Sequence, residues 1–185
     1  YGSAQYVPID EKHPLQAQSP YAASKIAADK LVESFYKSFD MPLITIRPFN
    51  AFGPRQSTRA VIPTIINQIY NDKKYIELGS LNPKRDFNYV TDICKAYICA
   101  MKTNNIFGET FNIGSGYEVS INQLVKNLIK ISGINKKIRN DKNKIRPKKS
   151  EVDRLLANNK KAKKYLKWQP EYSGKTGFEK NLKIT

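Results

Sequence analysis

Tyr21 and Lys25 stand four residues apart in Tyr21-Ala22-Ala23-Ser24-Lys25. On a helix that spacing puts a phenol and an ammonium on one face. A free tyrosine ionises near pH ~10 and is a poor base at neutral pH. A cation held beside it favours the phenolate. Bringing its ionisation down to neutrality corresponds to roughly 4 kcal/mol. A pair tuned in this way could take a proton from a hydroxyl group. The same pair also arises as plain amphipathic patterning, so the spacing by itself does not decide between the two.

The other chemistry-bearing residues read as structural. Asp86 and Asp92 read as turn and cap residues. His13, the only histidine, lies in a loop without a partner series. Gly114-Ser115-Gly116 is not a dinucleotide fingerprint, because Val119 stands where the third glycine should be. Cys94 and Cys99 lie five apart in a helical pattern, point in different directions and should not bridge. Without nearby histidines they make no zinc site, and no metal is expected. They read as small buried hydrophobes in a reducing cytoplasm. Trp168 reads as core.

The chain has 185 residues and 40% hydrophobic residues, enough for one packed domain. No run of eighteen apolar residues occurs, so no membrane span is expected. Tyr1-Gly2-Ser3 opens the chain without Met or a basic-then-apolar leader, and reads as an internal cut in a longer protein. The net charge is +16. Three readings of it remain open: a nucleic-acid surface, recognition of an anionic small molecule such as a nucleotide diphosphate, or a Lys-rich solvated exterior. The densest basic run, Lys136 to Lys149, contains no aromatic residue.

The elements that must position these residues alternate. Residues 1–20 are turn-rich and read as a surface loop. Ser19 as N-cap and Pro20 at the first position start a helix that runs from about Tyr21 to Phe39. Its apolar stripe, Ile26, Ala27, Leu31, Phe35 and Phe39, is widened by Ala23, Val32 and Tyr36, which predicts burial on more than one side. Leu43 to Arg47 reads as a buried parallel strand, and Phe49 to Pro54 as the turn at its carboxyl end. Ligands of open α/β sheets sit beside such ends. Ala60 to Asn71 reads as a helix, Tyr75 to Leu78 as a strand, and Phe87 to Val90 as extended. Thr91 or Asp92 caps a helix through about Met101, and Phe111 to Ile113 is a strand. Ser120 caps a helix stopped by Gly133. Ile138 starts a further strand. Helices are expected over Ser150–Leu156, Lys160–Lys167 and Gly174–Lys183. The alternation makes the class α/β.

A longer series of motifs carries more information. Ser19-Pro20 and Tyr21-x-x-x-Lys25 are followed by Arg47-Pro48-Phe49-Asn50-x-x-Gly53-Pro54. Then come Arg85-Asp86-Phe87-x-Tyr89-Val90-x-Asp92, Phe111-Asn112-Ile113-Gly114, Arg146-Pro147 and Leu166-x-Trp168-x-Pro170. Over essentially all 185 residues the sequence resembles the extended short-chain dehydrogenase/reductases that act on nucleotide sugars. Within that family it looks most like the 4,6-dehydratases. The stretches 4–11, 53–59 and 146–152 are similar to dehydratases of legionaminic-acid-type (nonulosonate) sugar pathways.

The resemblance implies NAD as cofactor, a nucleotide-diphosphate sugar as substrate, a cytoplasmic location and a homodimeric parent. It implies that Tyr21 is the general base and Lys25 its partner, which also hydrogen-bonds the nicotinamide ribose. Pro48, Phe49 and Ala51 match the strand end beside the nicotinamide, and Asn50 a residue that faces the sugar and diphosphate. Val61 and Ile62, with Pro63, and Ile76 to Leu78 match segments flanking the base. Arg85 and Arg146 match the arginines that clamp the diphosphate, a role suited to a forked, permanently charged guanidinium. The helix of Tyr21 matches one from a dimeric four-helix bundle.

No Gly-x-Gly-x-x-Gly or Gly-x-x-Gly-x-x-Gly occurs in the 185 residues. In the family that turn, and the acidic residues that drive elimination, precede the Tyr-Gly that opens this sequence. The reading is therefore a C-terminal part of a Rossmann domain, residues 1–55, plus a small mixed α/β substrate-binding lobe, residues 56–185, with the chain crossing between them. The parent reaction is 4,6-dehydration: oxidation at C4, loss of water across C5–C6, and re-reduction at C6. The fragment alone is expected to be inactive. A 4-epimerase using the same Tyr and Lys is the alternative, and a non-catalytic nucleotide- or nucleic-acid-binding module is the alternative of another class. The base and the hexose are left open.

Overall fold

The computed structural model describes residues 1–145, 147 and 149–185. Helix α1 spans Pro20–Phe39, and the Ser19 hydroxyl accepts the Ala22 N–H at 3.1 Å, which satisfies one orphan donor of its first turn. Strand β1 (Thr45–Pro48) follows, then strand β2 (Asn50–Phe52) and helix α2 (Val61–Tyr70). Strands β3 (Tyr75–Leu78) and β4 (Lys84–Tyr89) lead directly into helix α3 (Val90–Lys102). Strands β5 (Thr110–Ile113) and β6 (Glu118–Ser120) precede helix α4 (Ile121–Ser132) and strand β7 (Lys137–Asn140). Strand β8 (Arg154–Leu155) and helices α5 (Lys160–Tyr165) and α6 (Gly174–Leu182) complete the order.

Among the described residues three small sheets result. Strand β1 runs parallel to β5, with Arg47 opposite Asn112. Strand β4 is the hub of the second sheet. It pairs in parallel with β2 and β8 and antiparallel with β6. Strands β3 and β7 pair in parallel. The class is mixed α/β with parallel strands, as the alternation predicts.

Among the described residues three hydrophobic clusters hold these layers, the smallest formed by Ile9, Phe49 and Ala157. Ile62, Ile65 and Ile69 form the buried stripe of α2 and pack with Ile76 and Leu78 of β3 and with Leu124, Val125 and Leu128 of α4. Phe52, Phe87 and Phe178 close that core, with ring centroids 5.8–6.2 Å apart. The second core joins Ile93, Ala96 and Ala100 of α3 to Phe111 and Ile113 of β5 and to Trp168. Trp168 is therefore core, and its Nε1–H donates to the Asp92 carbonyl at 2.9 Å. Helix α4 carries a full capping box, Ser120 with Gln123, and ends on Gly133 at φ 70°. Replacing Ser120 with Ala is expected to cost about 1 kcal/mol. Urea unfolding measures this, and a loss of only a few tenths would show that the box is not needed.

Several expectations fail for identifiable reasons. Residues 50–52 are a strand, not a turn, because their backbone pairs with residues 87–89 of β4. Residues 150–156 are not helical. Lys84 N–H donates to the Asp153 carbonyl at 2.8 Å, and β8 pairs with β4 instead. Val90 opens α3, and Tyr89 is its N-cap without a side-chain cap bond. Asp92 lies inside the first turn, where its carboxylate accepts the Glu171 and Tyr172 N–H groups at 3.2 and 3.4 Å. Asp86 lies within β4 and is neither turn nor cap. Cys94 is exposed rather than buried, and Cys99 is partly exposed. Helix α1 has no fully buried residue, and although Ile26, Val32 and Tyr36 are half-buried, Leu31, Phe35 and Phe39 of its apolar face are left exposed. His13 does find partners, in backbone groups. Its Nε2 accepts the Gln5 N–H at 2.9 Å, and Nδ1 lies 2.8 Å from the Pro14 carbonyl.

Candidate functional site

Helix α1 presents the Tyr–Lys pair at its first turn. Lys25 Nζ lies 5.6 Å from the centre of the Tyr21 ring. Tyr21 is 72% exposed, so its phenol faces open space. One turn beyond Lys25, Asp29 accepts from Arg47 Nε of β1 at 2.7 Å. Arg47 also donates to the Tyr1 hydroxyl at 2.8 Å, and its guanidinium lies 4.9 Å from the Tyr1 ring centre. The Tyr1 hydroxyl in turn donates to Asn112 of β5. Tyr36 packs on Gly108, where an added Cβ would lie 2.1 Å from the ring. Helix α1 is thus tethered to the β1–β5 sheet by an ion pair and one ring contact. A cavity of about 370 Å³ lies in that seam, lined by Asp29, Tyr36, Thr45, Arg47 and Thr110 among others. It touches neither Tyr21 nor Lys25, so its size does not mark the chemistry.

The strand end is divided. Pro48, Asn50 and Ala51 are exposed, whereas Phe49 is buried against Ile9 and Ala157. Phe49 can therefore meet a ligand only through its backbone, and its N–H is already given to the Ile113 carbonyl at 2.8 Å. Ile62 and Leu78 lie in the first core, and Val61 is half-buried beside it. A base could be flanked by their backbone and by Val61, but not by the Ile62 side chain. Arg85, on β4, is half-buried, and Nη2 sits 3.4 Å from Glu151 Oε1. Arg146 lies outside the described residues.

Two features had no signal in the sequence. Glu151 reaches Arg85 across 66 positions of chain, a distance at which no local pattern speaks. Asp86 is fully buried. Its carboxylate accepts the Ser115 N–H at 2.9 Å and hydroxyl at 2.6 Å, the Gly116 N–H at 3.0 Å and the Ala157 N–H at 3.1 Å. Burial pushes this carboxyl above the ordinary carboxylate range, against the pull of those donors. The basic run is partly structural. Lys136 Nζ donates to the Gln68 carbonyl at 2.7 Å and so caps the end of α2, and Lys144 Nζ donates to the Glu77 carbonyl at 3.1 Å. Among the described residues no cluster of His, Cys, Asp and Glu could hold a metal, and no helix is long and apolar enough to cross a membrane.

Parallel strands with helices between them place the chain in the α/β class, with a Tyr–Lys pair at a helix start and an arginine on the central strand. The family model described as GDP-mannose 4,6 dehydratase matches residues 1–181. The chain belongs to that family, the NAD-dependent epimerases and dehydratases of the short-chain dehydrogenase/reductase type. Human dTDP-D-glucose 4,6-dehydratase is 36% identical over 131 residues, which is 71% of this chain and 37% of that protein. A putative UDP-glucose 4-epimerase of Methanocaldococcus jannaschii is 32% identical over 183 residues, 97% of this chain and 57% of that protein. The structure of UDP-glucuronic acid 4-epimerase from Bacillus cereus, in complex with UDP-glucuronic acid and NAD, superposes with a TM-score of 0.89 at 27% identity. It covers 100% of this chain and 56% of that one. The chain thus spans between about a third and three fifths of the length of these relatives.

Proposed function

We propose that this chain provides the proton-relay helix and substrate grip of an NAD-dependent nucleotide-sugar 4,6-dehydratase. The observation that carries the reading is the Tyr21–Lys25 pair, held side by side and open to a ligand at the start of α1. In this reading Tyr21 holds and releases the proton of the sugar C4 hydroxyl, and Lys25 keeps a positive charge beside the phenol. Arg85, with Arg146, binds the diphosphate through charge-assisted hydrogen bonds. Asn50 and Val61 line the sugar and base. Tyr21, Lys25, Pro48 and Ala51 are open enough to hold the nicotinamide end of NAD, and Phe49 could contribute only backbone. NAD, when bound, supplies the hydride acceptor at C4 and the donor at C6.

Residues 1–55 then belong to the cofactor side and residues 56–185 to the substrate lobe. The crossing is supported by the pairing of β1 with β5, which brings residues 110–113 back to the first part. A homodimer formed through the open face of α1 belongs to the same reading. The resemblance of stretches 4–11, 53–59 and 146–152 favours a nonulosonate-type member. A 4-epimerase remains the second reading, because epimerases match 97–100% of the chain.

The 185-residue chain, which holds no dinucleotide fingerprint, is expected to show no turnover of nucleotide-diphosphate hexoses with NAD when products are followed by NMR. It should still bind a nucleoside diphosphate. Calorimetry with UDP, GDP and dTDP should show an Arg85→Met loss on the order of thirtyfold, the size of one charged hydrogen bond. Turnover by the chain alone would refute the division of labour. Binding of oligonucleotides with a steep salt slope, and none of diphosphates, would favour a nucleic-acid module instead.

A further inference from the structure

The Arg85 side chain is only 12% exposed, and Glu151, 17% exposed, sits against it. Arg85 Nη1 donates to the Lys84 carbonyl at 2.9 Å. Glu151 is anchored in its turn. Its Oε1 accepts the Val152 N–H at 3.2 Å, and its carbonyl accepts the Ser3 hydroxyl at 3.5 Å. Arg85 rides on paired backbone, with Leu155 of β8 as its register partner, and the Glu151 N–H donates to the Pro147 carbonyl at 3.1 Å. The contact is therefore not the chance meeting of two long surface side chains.

We propose that Glu151 is a displaceable counter-ion of Arg85, an internal competitor that a phosphate-bearing ligand must push aside. This rests on the reading of Arg85 as a diphosphate clamp. A sheltered guanidinium without a partner is costly. Glu151 offsets part of that cost when no ligand is bound. The 3.4 Å contact is longer than a good charge-assisted hydrogen bond of about 2.7–2.9 Å, so the pair holds without being optimal. A singly charged ligand exchanges one charge for another and gains little. A diphosphate brings more charge and more oxygens to the guanidinium fork, so it can displace the carboxylate. Glu151 thus acts through Arg85 as a positioning residue and sets a common threshold that favours diphosphates.

The test is calorimetry of the full 185-residue chain with inorganic pyrophosphate. The proteins compared are wild type, Glu151→Gln, Glu151→Asp, Arg85→Met and the Arg85→Met/Glu151→Gln pair. Glu151→Gln should bind about fivefold more tightly than wild type, the size of one partly screened charge contact. Glu151→Asp, which restores the charge, should return affinity toward the wild-type value. The gain should vanish when Arg85 is already Met. A purely structural role would instead lower the melting temperature and weaken binding. That outcome, or an unchanged affinity in Glu151→Gln, overturns the proposal while the clamp stands. Equal binding by wild type and Arg85→Met overturns the clamp itself and the counter-ion with it.

Discussion

Replacing Asp86 with Asn is expected to destabilise the chain by about 1–3 kcal/mol or more. The buried carboxylate receives five hydrogen bonds, from Ser115, Gly116, Ala157 and the Asn88 amide, divided over both oxygens. Whichever way the new amide turns, its NH2 end faces backbone N–H donors, because Ser115 N–H points at Oδ1 and Gly116 and Ala157 N–H point at Oδ2. Each donor so stranded costs about 1–3 kcal/mol. The junction cannot relax to avoid this. Gly114 is packed so tightly that an added Cβ would lie 2.1 Å from the Ala157 Cβ. Asp86 ties β4 to the loop after β5 and to the residue after Leu156, so its loss should lower the whole unfolding transition. Urea denaturation followed by Trp168 fluorescence checks this. A change below 1 kcal/mol would mean that the junction is not structural.

The second large effect concerns α1. Leu31, Phe35 and Phe39 are 60%, 41% and 69% exposed and repeat every fourth residue along one face. The Phe35 and Phe39 rings touch, with centroids 5.7 Å apart. A continuous apolar stripe of this kind suits the homodimer proposed above. If two copies pair through it about a twofold axis, each residue is used twice. A buried interface Phe contributes on the order of 2 kcal/mol or more. Phe35→Glu is therefore expected to weaken self-association by about 4 kcal/mol, roughly a thousandfold in the dimer constant. Sedimentation at several concentrations reads this directly. A wild-type chain that stays monomeric throughout would remove the proposed dimer. The substitution should leave unfolding almost unchanged, because α1 has no fully buried residue in this chain.

Much of the architecture was legible beforehand because it is local. The apolar stripe of α2, the Ser120 cap with its Gly133 stop and the β-branched run of β1 depend on residues within a few positions. So does the Tyr21–Lys25 pair, since a helix alone places positions four apart together. The ordered motifs were enough to assign the family, which the match over residues 1–181 then established.

What the tertiary structure decided is non-local. Whether 50–52 turns or pairs, and whether 150–156 coils or joins a sheet, depends on β4, whose backbone pairs with both β2 and β8. Asp86 looked like a turn residue because sequence patterns do not reveal a carboxylate whose donors lie 29 to 71 positions away. Arg85 could be named from its motif, but its engagement with Glu151 could not. Short-range spacing sets helices, caps and paired side chains, because only neighbouring torsions are involved. Strand partners, buried charges and the apolar face of α1 left open depend on which distant segments come to lie beside them, and only the folded chain fixes that.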